Sequence, residues 1–511
     1  MSDEPGLERA ARPQNVVVVL LDSLNRHMLG AYGGSEFATP NLDRFAERAV
    51  RFQRHYTGSL PCMPARHDIL TGALDFLWRP WGSVELWEDV ITEHLREAGV
   101  TSMLISDHPH LFEVGGENYH TEFTGWEYER GHEGDPWKTR PDPSWAGAPL
   151  MGRQVAPNYH NSRGYFREEA EFPGPRTMAA AERWLDQNAG HHGRFFLFID
   201  EFDPHEPFDT PAEYARMYDP TWEGPNLIWP PYAAQAVGRG ILSEREAHQV
   251  RACYGGKLTM IDHWFGRVLD AIERNGLWQD TAVVVCTDHG HYLGEKDVFG
   301  KPAVPVYQPL GHIPLMVAWP GAAPREVDAL TTSVDLFATL VDVFGVTVPQ
   351  RTHGVSLVPL IEGTSDAVRE WLLTGVWGRE VHLVDDRYKY ARAPEGPNAP
   401  ISVWSNRWST MPVPGYKKHQ LMPPPDDRAY LDRMPGSRIP VIRQPYQAGD
   451  MLPFWAARRF TGNYLFDLCD DPAEDENRAG ERVEKEAADK LRQALLSIEA
   501  PEDQFARLGL A

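Results

Sequence analysis

Four continuous apolar runs, Asn15–Leu21, Val100–Ile105, Phe195–Ile199 and Ala282–Thr287, are rich in β-branched or aromatic residues and lack polar alternation. That pattern predicts strands buried on both faces of a parallel sheet. Each run gives way to an aspartate: Asp22, Asp107, Asp200 and Asp288. Between the runs, apolar residues recur at helical spacing over about Leu42–Ala49, Asp89–Ala98, Thr177–Gln187 and Glu244–Arg274. Strand and helix alternate, so the predicted class is α/β, a large mostly parallel β-sheet flanked by helices. Ligands are expected beyond the carboxyl ends of its strands.

Further along, Ser333–Leu340 reads as a helix and Trp371–Lys389 as strand-like pieces. Ala391–Arg459 is rich in Pro, Trp and Arg, shows no period, and is too long for an ordinary connection. It reads as a substrate cap or as an arm that binds a neighbouring subunit of a homo-oligomer. A final helix is expected from about Glu484 to Ile498. Tyr119–Tyr165, with Trp126, Trp137 and Trp145, has the irregular composition of a lid or pocket wall. The expected division is a polar segment 1–14, a catalytic domain 15–365, and a C-terminal subdomain 366–511 with an insertion at 391–459.

At 511 residues the chain exceeds one comfortable core, which fits that division. The net charge of −23 argues against a nucleic-acid or anionic-membrane partner. Positive potential for an anionic substrate must then be local. The cysteines, Cys62, Cys253, Cys286 and Cys469, lie far apart, with no disulfide framework or paired zinc spacing, and Cys286 falls inside a predicted strand. The apolar run Val16–Leu21 is too short for a signal h-region or a membrane span, so a cytoplasmic protein is expected.

The candidate chemistry starts at Ser59-Leu-Pro-Cys62-Met-Pro64-Ala-Arg66-His-Asp-Ile-Leu-Thr71-Gly72. This reads as a helix start with Cys62 in or just before the first turn, where Pro64 is tolerated and unsatisfied amides attract an anion. Cys62 and Arg66 would then face one oxyanion. A lone cysteine is ordinarily a small buried apolar residue. Here, however, Cys-x-Pro-x-Arg followed by Leu-Thr-Gly resembles the signature of the type I, formylglycine-dependent sulfatases of the alkaline phosphatase superfamily. That group includes arylsulfatases and phosphonate monoester hydrolases.

The resemblance recurs at separated places. Asp22-Ser23 through Thr39-Pro40-Asn41 resembles the N-terminal block that supplies metal-binding aspartate, although Ser23 stands where many members carry a second acid or amide. Asp288-His289-Gly290-His291, then Lys301 and His312, resembles the block that provides the remaining metal ligands and a lysine on the ester oxygen. Pro204-His205-Glu-Pro207 follows a buried strand, as in the family. At Gly99–His110, Asp107 and Pro109 replace the usual Gly-Lys-x-His residues in the direct register, leaving His108 and His110 as substitutes. Asn463-Tyr-Leu-Phe-Asp467 through Asn477 resembles the family's ending.

The resemblance implies an alkaline-phosphatase-like fold with a smaller C-terminal antiparallel sheet. It also implies one divalent metal held by Asp22, Asp288, His289 and residue 62, the last as the formylglycine hydrate made from Cys62 by a formylglycine-generating enzyme. Hard oxygens with one imidazole suit Ca²⁺, with Mg²⁺ or Mn²⁺ also accommodated and zinc less favoured. The implied reaction is hydrolysis of an aryl or carbohydrate sulfate through a covalent sulfo-enzyme on residue 62. Arg66 and Lys301 would steady the anion, His205 or Lys301 would protonate the leaving alcohol, and His108, His110 and His312 would hold substrate. Phosphonate monoester or phosphodiester hydrolysis with the same nucleophile is the alternative, and a catalytically inactive binding protein of this fold a remoter one. A two-zinc phosphatase is disfavoured because no Asp-x-x-x-His occurs in the chain.

Overall fold

The computed structural model describes residues 12–140, 157–347, 351–413 and 415–511, so Trp145 and most of the N-terminal polar segment lie outside the described residues. The four apolar runs are strands, over Asn15–Leu21, Thr101–Ser106, Phe195–Glu201 and Thr281–Cys286. Every residue of the first, third and fourth is buried, as unbroken hydrophobicity requires. They lie side by side and parallel, with 15–21 between 281–286 and 195–201 and with 101–106 beyond.

Four further strands complete the eight-stranded sheet. Gly125–Tyr128 extends one edge, in the segment expected to be irregular. On the other side come Leu315–Ala318, Val50–Tyr56 and Arg325–Thr332. Only Leu315–Ala318 is antiparallel to its neighbours. Register brings the strand ends level, since Leu20 lies opposite both Asp200 and Cys286. Asp22, Asp200 and Asp288 therefore emerge at one edge of the sheet.

The expected helices are present, most precisely Glu244–Arg274, whose Ser243 and Glu246 form a capping box. This long helix packs on Pro40–Ala46, Pro173–Asn188 and Ala212–Tyr218. Its buried Asp262 accepts the N–H groups of Asn41 at 3.0 Å and Leu42 at 2.8 Å. It thereby caps Pro40–Ala46, where Thr39 makes no side-chain cap bond.

The C-terminal sheet runs in the order Tyr464–Asp467, Tyr388–Arg392, Val381–Asp385, Trp371–Val376, all antiparallel. Its last member is Ser59–Leu60, which pairs in parallel with Gly375 and Val376. The helix Arg482–Ser497 buries Leu491 and Leu495 in the same cluster as Leu373, Leu383 and Tyr390. The insertion departs from the expectation of an irregular segment. Ile401–Ser405, Pro440–Tyr446 and Tyr430–Arg433 form a separate antiparallel sheet. The strands are short, and prolines, Pro440 and Pro445, interrupt one of them, which leaves no clean period in the sequence. Among the described residues, no helix is long and apolar enough to cross a membrane.

Replacing Asp262 with alanine strands two helix-terminal amides. Chemical denaturation is expected to show a loss of about 1–3 kcal/mol.

Candidate active site

The sequence around Cys62 folds into the helix Cys62–Thr71, begun by Pro61 and ended by Gly72 at φ +73°, where a left-handed residue is needed. Asp68, one turn before its end, reaches back to the incoming chain and accepts the N–H of Ser59 at 2.5 Å and its hydroxyl at 2.7 Å. Gly58 makes room for this, because a Cβ there would sit 2.3 Å from the Asp68 carboxylate. The approach to Cys62 is thus tied down on both sides, by Asp68 and by the C-terminal sheet.

At the top of the main sheet, donor atoms of Asp22, Cys62, Asp288 and His289 lie within 4.8 Å of one another, all buried. The Cys62 Sγ is 3.2 Å from His289 Nε2. His289 Nδ1 donates to the Gly290 carbonyl at 2.9 Å, which leaves Nε2 with its lone pair toward the cluster. Burial lowers the His289 pKa to about 4 despite Asp288, so the ring is neutral. Burial likewise pushes the Cys62 thiol well up, so the unmodified sulfur stays protonated and is a poor nucleophile.

Arg66 is fully buried and holds the cluster together. Its Nε and Nη2 bond Asp200 at 2.8 and 2.6 Å, and Nη1 bonds Asp288 at 2.8 Å and the Cys62 carbonyl at 3.2 Å. Nη2 also lies 2.9 Å from Asp22 Oδ2, which has no hydrogen-bond partner of its own. Burial opposes the Arg66 charge, but Asp200, Asp22 and Asp288 outweigh it and hold its pKa well above the usual value. Burial and then Asp288 push Asp22 well up, against the opposing pull of Arg66 and Lys301. Two buried carboxylates and an oriented imidazole beside Cys62 fit a divalent cation, and the oxygen-rich set suits a hard one.

Lys301 approaches from the other side and donates to the Ser23 hydroxyl at 3.1 Å, which in turn donates to Asp22 Oδ1 at 2.7 Å. Ser23 has φ +63°, and its N–H reaches Asp288 at 3.1 Å. In place of a second acid, the hydroxyl links the lysine to the aspartate. Burial works against the Lys301 charge, yet Cys62, Glu206, Asp22 and Asp288 raise its pKa.

The remaining predicted residues fall in different places. His205 is buried, with Nδ1 donating to the Glu206 carbonyl at 2.7 Å. Burial and Lys301 keep its ring neutral, in spite of Glu206, so Nε2 is an acceptor. His108 is 0 % exposed, stacks on Phe202 at 4.4 Å between centroids, and neither ring nitrogen has a partner among the described residues. Burial lowers its pKa, with Arg66 and the neighbouring His110, His205 and His132 adding to the effect. His110 is occupied by Glu113 and by Glu133 at 3.3 Å. Although burial alone would lower it, those glutamates push His110 up to about 9.

His312 is not brought to the cluster. Its Nε2 donates to the Gln53 carbonyl at 2.6 Å and its ring stacks on Tyr56 at 4.7 Å. Asp107, in the place of the family's lysine, accepts the Phe202 N–H at 2.8 Å. Two members of the site escaped sequence reasoning as such. Asp200 was visible as an aspartate closing an apolar run, and Glu206, bound by Tyr232 and 3.2 Å from His291, carried no signal beyond its place beside His205.

Comparison with known proteins agrees with this geometry. A family model described as Sulfatase matches residues 14–346. The chain is 24% identical over 417 residues to the choline-sulfatase of Rhizobium meliloti, covering 74% of this chain and 77% of that protein. It is 26% identical over 423 residues to the multifunctional alkaline phosphatase superfamily protein PehA of Trinickia caryophylli, covering 68% and 77%. The fold superposes on the phosphonate monoester hydrolase of Agrobacterium radiobacter with a TM-score of 0.64 and 20% identity, covering 96% of both chains. An alkaline-phosphatase-like architecture is thereby established.

Removing Arg66 would leave three buried carboxylates facing one another. For Arg66→Met, urea unfolding is expected to show a loss of about 3–5 kcal/mol, with Asp200→Asn in the same chain recovering part of it.

Proposed function

The chain belongs to the sulfatase family, and from that premise we propose that it hydrolyses sulfate esters at the cluster around Cys62. In this reading Cys62 is oxidised to formylglycine by a formylglycine-generating enzyme, and the hydrate of that aldehyde is the nucleophile. The observation that carries it is the convergence of Asp22, residue 62, Asp288 and His289 within 4.8 Å, flanked by Arg66 and Lys301. A divalent ion held by the three acid and imidazole side chains and by residue 62, Ca²⁺ by the donor set, supplies Lewis-acid activation and charge neutralisation.

The chain's own groups do the rest. Arg66 bonds the residue 62 carbonyl and three aspartates, which fixes where the nucleophile points. His289 directs Nε2 at the same spot because its other nitrogen is committed to Gly290. Lys301 keeps its charge and spends one N–H on Ser23, so its remaining donors serve the ester oxygens and deliver a proton to the departing alcohol. His205, neutral and bonded through Nδ1, presents an acceptor that orients that alcohol. The unpartnered ring of His108 supplies a hydrogen bond to the bound oxyanion.

One observation favours phosphonate monoester or phosphodiester hydrolysis as a second reading. Asp107 replaces the lysine that holds sulfate in many family members, and its carboxylate is turned to the Phe202 amide. The site on that side therefore offers a neutral imidazole, His108, in place of a fixed cation.

Tryptic mass spectrometry of the Cys62 peptide is expected to show the aldehyde or its hydrate, and fully unmodified thiol in active enzyme would overturn the nucleophile assignment. Initial rates on 4-nitrophenyl sulfate, 4-nitrophenyl phenylphosphonate and bis(4-nitrophenyl) phosphate rank the two readings, with sulfate expected first. Lys301→Ala is expected to slow an alkyl sulfate by about 10²–10⁴-fold and a nitrophenyl ester far less, because nitrophenolate leaves without a proton.

A further inference from the structure

The histidine assigned above to the leaving alcohol sits in a segment with little means of holding its own shape. Asp203-Pro204-His205-Glu206-Pro207 follows the buried strand Phe195–Glu201, and its two prolines carry no N–H. The His205 N–H bonds back to the Phe202 carbonyl at 2.9 Å, and the Asp203 N–H to the Glu201 side chain at 3.1 Å. The His205 ring lies on Phe202 with centroids 4.2 Å apart, and its Nδ1 donates to the Glu206 carbonyl at 2.7 Å. The direction of Nε2 therefore follows the path of the chain from 202 to 206.

Lys257 restrains that path from the long helix Glu244–Arg274. It is 3 % exposed, and its Nζ reaches both ends of the segment, the Asp203 carboxylate at 2.7 Å and the Pro207 carbonyl at 2.7 Å. His132 Nε2 donates to the same Asp203 oxygen at 2.6 Å and lies 3.4 Å from the Lys257 Nζ. Although burial opposes its charge, Lys257 and His132 hold Asp203 below the usual carboxylate range. The helix Pro173–Asn188 closes on the other Asp203 oxygen, since a Cβ at Gly174 would lie 2.3 Å from it. None of Lys257, Asp203 and His132 has a part in the chemistry proposed above.

Taking an ammonium out of water is costly, and the cost is offset only where its bonds are well made. An apolar side chain would fill the same space with less penalty. Both bonds of Lys257 go to the five residues that carry His205, one at each end. What they fix is the shape of that segment.

We propose that Lys257 is a positioning residue for His205: its ammonium closes Asp203–Pro207 into a loop of fixed shape and so aims the His205 Nε2. The inference rests on the catalytic reading only for what His205 does once aimed.

Lys257→Met combined with Asp203→Asn removes both charges together, so no carboxylate is left buried and bare. In Ca²⁺-loaded, full-length protein labelled with ¹⁵N-histidine, multiple-bond NMR reads which ring nitrogen carries the proton, and His205→Gln assigns the signal. The wild type is expected to show His205 as the Nδ1–H form alone. The double variant should show an average of both tautomers there, while His289, whose Nδ1 is committed to Gly290 outside the segment, stays unchanged. A mixed wild type, no change at His205, or an equal change at His289 overturns the assignment. Kinetics supply a second reading, through kcat/KM for an alkyl sulfate. The double substitution should lower it by about 10–100-fold when His205 is present. In the His205→Gln background it should lower it by no more than about twofold. Equal losses in the two backgrounds mean general damage and overturn the assignment as well. A wild type that hydrolyses no ester defeats the catalytic reading, and the NMR comparison still decides whether Lys257 sets His205.

Discussion

One buried guanidinium organises this molecule. Arg66 sits on the second turn of the helix that starts at Cys62 and touches carboxylates delivered by three separate strands, at Asp22, Asp200 and Asp288. In a low-dielectric interior such a group is tolerable only when its donors are nearly all used. The geometry that uses them is also the geometry that holds Cys62 over the sheet. Stability and positioning are therefore the same contacts, and a change that relaxes one relaxes the other. Burial, with Asp288 adding to it, drives Asp22 toward protonation, and a divalent ion at the cluster would offset both.

Much of this was legible from residue order. Unbroken apolar runs announced the central strands because burial on both faces removes any need for polar alternation. Aspartates at their ends, together with the resemblance of the Cys62 and Asp288 segments to the sulfatase blocks, pointed to the cluster. What escaped notice had weaker local signatures. Leu315–Ala318 is four residues long and runs against its neighbours, so no crossover helix flags it. Val50–Tyr56 carries Arg51, Gln53 and Arg54 among its buried positions, which breaks the apolar run. His312 looked like a substrate-binding residue by its place in a motif, yet a backbone carbonyl and a tyrosine ring claim it. The Ser23 hydroxyl also could not be assigned from sequence, since its role depends on Lys301 arriving from far along the chain.

The long Pro- and Trp-rich insertion shows the same limit from the other side. Composition showed no period and suggested a substrate cap or an arm to a neighbouring subunit; three short strands pair with each other there and Trp455 stacks on Trp81 at 5.1 Å. Residues 411–413 and 415–416 of this insertion face the loop 109–118 across a cavity of about 1040 Å³. His110 and Glu133 line that cavity, and Glu133 shares a cluster with His205. The insertion therefore forms one wall of that cavity.

The two-residue strand Ser59–Leu60 has an effect that reaches beyond geometry. Because it is hydrogen-bonded to Gly375 and Val376, the turn leading into the reactive side chain is anchored to a part of the polypeptide made hundreds of residues later. A nascent or clipped chain ending before Trp371 has no such anchor and leaves that turn as an unpaired edge.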